Sequence, residues 1–336
     1  MTMPTKTAPK ALPERESDDH GATRIVLDRL AKTLADAATE VAWTQWSALG
    51  STAASKQRAR STIDPEALIL LSLFLGERER RLRDITHDWV AVASNLLSTQ
   101  RIKNLASAYP NTVQPQLVLL AQTAVGRAKD SRWKTLAQPS DDGAATAESG
   151  ARTNKVRAAR PSLIEPAALL LRLRQAFGVG IKADTLGFLL GTEDAWATAR
   201  EISAATGYTI PAVRRAVDEM AAARVIMSAD DTATLYRADA VAWGALLNIR
   251  KMPTWRSWQQ RFVFVAAFLQ WTDYTAGRRL PAYAVSVQGR EIFETHRIAF
   301  ERNRVVPWPT PALPGDWPAL AKRGVTVLAE WMQQEV

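Results

Sequence analysis

Apolar residues recur at spacings of three and four along almost the whole chain, a periodicity that favours α-helix over strand. From Arg24, the residues Val26, Leu30, Leu34, Ala37 and Val41 share one face of a helix predicted to reach Trp46. A polar, basic stretch, STAASKQRARS, interrupts the pattern. DPEALILLSLFLGE then predicts a second helix, with Asp64 as N-cap and Pro65 in its first position. Further helices are expected around Asp84–Ala93, Ser98–Ser107 and Gln114–Gly126. Asn95 to Leu105, NLLSTQRIKNL, suits either a turn-helix or plain bundle packing. These helices are assigned to one all-helical domain, residues 24–138, preceded by a disordered tail over residues 1–23.

Helical periodicity fails from Gln138 to Pro161, where small, polar and glycine residues predict a flexible linker over residues 139–161. Its second half carries Arg152, Lys155, Arg157 and Arg160, either a solvated tether or an arm contacting phosphates. EPAALLLRLRQAF then reads as a helix from Glu165 to Phe177, ended by Gly-Val-Gly, with a second helix over Ala183–Leu190. Residues 241–336 form a Trp-rich helical C-terminal region, with helices over Trp255–Tyr274, Ala282–Arg302 and from about Pro318 to Gln333. The proline-rich VVPWPTPALPGDWP between the last two reads as extended. No repeat period appears along the chain.

A length of 336 residues exceeds one simple core and suits two or three domains. The chain has no cysteine, which excludes disulfides and zinc–cysteine sites. Its first residues lack an apolar stretch of signal-peptide length, and no apolar run approaches a membrane span. A cytoplasmic protein with no membrane partner is therefore expected. Net charge is +9, a common electrostatic footprint of nucleic-acid partners. The excess sits in residues 127–182 (+6) and 241–336 (+5), whereas residues 183–240 carry −4.

That acidic segment contains the most informative stretch, TAREISAATGYTIPAVRRAVDEMAAARVI. Ala199, Ile202 and Ala205 supply an apolar face to a first helix, and Gly207 permits a left-handed turn. Thr209 is the expected N-cap of a second helix, with Pro211 in its first turn. Val213, Val217 and Met220 form the buried face of that helix. Thr209, Ile210, Ala212, Arg214, Arg215 and Asp218 are left toward solvent or a groove. IMSADDTATLYRAD adds two short strands around an Ala-Asp-Asp-Thr turn.

GYTIPAVRRAVDEMAAARVI resembles the winged helix-turn-helix transcription regulators of bacteria, and the likeness covers about residues 165–240. It implies a winged helix-turn-helix over residues 162–240 that binds double-stranded DNA, Arg214 and Arg215 meeting phosphates or guanine edges. Lys182 and the basic linker would add charge nearby, and Arg237 alone offers the wing a cation. Arg224 stands where such regulators commonly have glycine, and Asp218, Asp230 and Asp231 are unusual facing phosphates. WTQWSALG, DPEALILLSL and the central module are also similar to bacterial proteins thought to accompany nucleotidyltransferase-type toxins, which would make this chain the antitoxin or regulator.

Enzyme chemistry finds little support. His20 lies in the tail, His87 among Asp84, Asp88 and Trp89 reads as a surface or boundary histidine, and no acid stands three or four residues from His296, so no metal site is expected. FGVGIKADTLG follows a helix and lacks the strand–turn–helix setting of a dinucleotide loop. SALGS lacks a nucleophile elbow, and no phosphate-binding loop is present. No cofactor is expected. Trp255, Trp258, Trp308 and Trp317 either anchor the core or line a partner surface. The expectation is a mainly α, DNA-binding regulator, a repressor or the antitoxin of a toxin pair, with a homodimer as one assembly. Its rival is an interaction protein whose acidic winged helix docks a protein.

Overall fold

In the computed structural model, which describes residues 15–51, 57–138, 161–230, 233–278, 280–302 and 317–336, helix α1 spans Arg15–Ala48. It starts inside the expected tail, which corrects that boundary. Residues 15–23 have no clear apolar face, but extending an existing helix avoids the cost of nucleation. Residues 1–14 lie outside the described residues, as do 139–160 of the expected linker with Arg152, Lys155, Arg157 and Arg160.

Helix α2 (Pro65–Leu75) is capped as its sequence predicts, Asp64 accepting the Ala67 N–H at 3.2 Å. Every residue of α2 except Phe74 is buried. Helices α3 (Arg80–Ala93), α4 (Thr99–Ala106) and α5 (Val113–Gly126) pack around it. Ile102 and Leu105 of α4 are core residues, so NLLSTQRIKNL is bundle packing.

A single 3₁₀ turn, Pro166–Ala168, leads into α6 (Leu169–Phe177), and Gly178 closes that helix at φ +83°. Then come α7 (Ile181–Leu190), β1 (Ala197–Thr198), α8 (Ala199–Thr206), α9 (Ile210–Ala222), β2 (Met227–Ala229) and β3 (Leu235–Arg237). The strands form one antiparallel sheet in the order β1-β3-β2, with Tyr236 opposite both Ala197 and Ser228. Strand β1 was not anticipated, because two residues are too short to show alternation. Leu173, Leu189, Ile202, Val213, Val217 and Tyr236 belong to a separate apolar core, closed by Trp255.

The chain ends with α10 (Ala240–Leu247), α11 (Trp258–Ala276), α12 (Ala282–Thr295), α13 (Ile298–Glu301) and α14 (Trp317–Glu335). The helix expected over Ala282–Arg302 is thus broken at His296–Arg297. Residues 241–336 do not stand apart from residues 24–138: α11 and α14 lie against α1, and α11 also covers α2. Leu34, Val41, Trp46 and Leu71 share one core with Phe264, Phe268, Leu328 and Met332. A helix apolar on all sides needs neighbours on all sides, and α2 obtains one of them from the C-terminal region. Trp258 is fully buried and Trp255 nearly so, which makes both of them core anchors rather than partner-facing residues. The Trp308 position and the Trp317 side chain lie outside the described residues. Among the described residues, no helix is long and apolar enough to cross a membrane.

Candidate nucleic-acid interface

The turn between α8 and α9 is built by local chemistry. Thr198 accepts the Glu201 N–H at 3.2 Å, and the Glu201 carboxylate accepts the Thr198 N–H at 2.7 Å, a reciprocal capping box. Its signature, Thr-Ala-Arg-Glu, was readable in the sequence and was missed. Gly207 ends α8 at φ +83°, ψ 5°, the left-handed geometry that its position in the sequence predicts. Thr209 occupies the cap position of α9, but its side chain makes no capping bond. The turn is braced instead by the Ser203 hydroxyl, which donates to the Tyr208 carbonyl at 2.6 Å.

Helix α9 buries Val213, Ala216, Val217 and Met220 and leaves Thr209, Arg214 and Arg215 exposed. Ile210 does not face outward as expected; it packs against the second core, and Ala212 is half-buried. Asp218 has a structural partner, the Tyr236 hydroxyl at 2.7 Å, which ties β3 to α9. Burial and that bond push the Tyr236 phenol up to about 12. Lys182 lies 2.8 Å from Glu219, both about half exposed, and holds that carboxyl below its usual range. Such a surface pair is weak and leaves Lys182 available to other anions. Arg237 sits 4.8 Å from the centre of the Trp196 ring, on the β2–β3 side. Arg224, the non-glycine at the exit of α9, keeps the glycine conformation at φ +57°.

Beneath the turn lies a buried ion network. Arg174 of α6 grips Asp184 of α7 with Nε at 2.7 Å and Nη2 at 2.9 Å. Its Nη1 also reaches Glu66 of α2 at 2.5 Å and the Leu96 carbonyl at 3.1 Å. Arg101 of α4 pairs with Asp64 and lies 3.4 Å from Glu66. Burial opposes the Arg174 charge, but Glu66 and Asp184 outweigh it and hold the guanidinium ionised. Two groups carry this network to the turn: Arg101 donates to the Thr206 carbonyl, and the Tyr208 hydroxyl donates to Asp184 at 3.0 Å. The sequence signal was single charges inside apolar helices, Glu66, Arg174 and Asp184, which must be paired if buried.

This accounting changes the meaning of the acidic balance in residues 183–240. Asp184 is buried against Arg174, Glu201 is committed to a capping box, and Asp239 caps α10. Part of the negative charge is therefore structural, whereas Arg214 and Arg215 have no ion pair among the described residues. Also among the described residues, no group of three or more acidic, histidine or cysteine side chains is placed to hold a metal ion. No family model, no curated protein and no solved structure matches the chain.

Proposed function

We propose that residues 162–240 form a winged helix-turn-helix that binds double-stranded DNA, and that the protein is a transcription regulator acting as a repressor. One observation carries the reading: Arg214 and Arg215 are both exposed near the start of α9, where a recognition helix meets the groove. Supporting it, the order helix, strand, helix, helix, hairpin and the strand order β1-β3-β2 are those of a winged helix. Two cations accompany the arginines, Lys182 beside α9 and Arg237 on β3.

A second reading, docking of a protein such as a toxin, is favoured by the exposed carboxylates Asp218 and Glu219 on the same helix. A binding titration on the DNA upstream of the gene and on random duplex separates the two. The DNA reading expects a preference for the upstream sequence and an affinity that falls steeply with salt. Equal binding to both duplexes would favour protein docking.

A further inference from the structure

Helix α10, AVAWGALL, has no charged side chain and is apolar all round, yet only Gly244 is buried. Val241 is 80% exposed and Leu246 73% exposed, with Ala242 and Ala245 also open. These four positions form one stripe, since side chains four apart stack along a helix. Trp243 points the other way and meets Phe177 edge-on at 6.0 Å, so the second core already holds the inner side of the helix. Beside the stripe runs a groove of about 540 Å³ between α10 and the turn at Gly191–Asp194.

The two ends of this surface carry opposite charge. At the N-terminal end, Asp239 accepts the N–H groups of Val241 and Ala242 at 3.0 and 2.9 Å. Asp194 accepts that of Ala240 at 3.4 Å, and Glu193 lies next to it. At the C-terminal end stand Arg250 and Lys251, both exposed and without an ion pair among the described residues.

We propose that α10 is a homodimer interface, pairing antiparallel with α10 of a second copy across a twofold axis. The charge pattern selects this occupant. A twofold, antiparallel apposition brings each acidic end onto the partner's basic end, so both ends are satisfied by one contact type. Ala242 and Ala245 let the helix axes approach, while Val241 of one copy packs against Leu246 of the other. A partner of a single charge sign would be repelled at one end. The interface is independent of the DNA reading and is measured without DNA.

The test is sedimentation equilibrium of the full chain. Wild type should be a dimer, and Leu246→Glu a monomer that still melts in one cooperative transition, at a temperature that no longer rises with protein concentration. Arg250→Glu with Lys251→Glu should weaken self-association at least about tenfold through like-charge contact. Glu193→Lys, which leaves the acidic end weakly negative, should weaken self-association by a smaller factor. A monomeric wild type, a dimer that survives Leu246→Glu, or self-association unchanged by the reversal at Arg250 and Lys251 would overturn the proposal.

Discussion

Arg224 holds a left-handed conformation, φ +57°, between α9 and β2, and its N–H donates to the Ala221 carbonyl at 2.9 Å. A β-carbon in that region is strained, whereas glycine adopts it freely at the cost of a more disordered unfolded chain. Arg224→Gly should therefore raise stability by up to about 1 kcal/mol, and Arg224→Val should lower it by about 1–2 kcal/mol. Urea unfolding checks both, and a loss on Arg224→Gly would contradict the strain. His87 makes a pH prediction. Its Nδ1 lies 2.9 Å from the Thr123 hydroxyl, and burial, then Arg83, lowers its pKa to about 4. The folded state thus prefers the neutral ring, while the unfolded chain takes up a proton near 6.5. The stability it contributes is present above about pH 6.5 and is lost as pH falls toward 4, on the order of 1–3 kcal/mol. His87→Gln should flatten that part of the pH–stability curve; an unaltered curve would show that His87 is not its source.

Among the elements, α2, α4, α6 and α7 meet at the buried charges, and the α8–α9 turn hangs from the same network. Arg174→Met would leave Asp184 without its ion-pair partner and Glu66 with Arg101 alone, and should cost about 3–5 kcal/mol. Adding Glu66→Gln and Asp184→Asn should recover much of that loss. A penalty below about 1 kcal/mol for Arg174→Met would mean that the carboxylates are served by other donors. Local signals made several element boundaries legible: Asp64 and Pro65 opened α2, Gly207 closed α8, and Val213, Val217 and Met220 fixed the buried face of α9. Thr209 misled, because its expected brace came from Ser203, five residues before Tyr208. Ile210 misled as well, because the first turn of a helix can face a core formed by distant residues such as Tyr236. The ion network joins positions as far apart as Glu66 and Arg174, and no spacing in a single sequence encodes that pairing.

For the molecule as a whole, the N-terminal and C-terminal helices share one core, with the turn-helix unit inserted between them in sequence. Periodicity identified the helices but gave no means of pairing α2 with α11 or α1 with α14, since such contacts are set by tertiary packing. Residues 24–138 made alone should therefore expose the apolar surface that α11 and α14 cover. They should bind a hydrophobic dye and lack a cooperative thermal transition; a sharp transition like that of the whole chain would contradict a shared core. The same architecture anchors α9 on the second core while Arg214 and Arg215 stay exposed, and the central proposal is that these two residues read DNA. Its most direct test is the affinity of Arg214→Ala with Arg215→Ala for the upstream DNA, beside wild type, at fixed salt. The account predicts a loss of about 1–3 kcal/mol for each base contact removed, with the preference over random duplex gone. Full retention of that preference would contradict it.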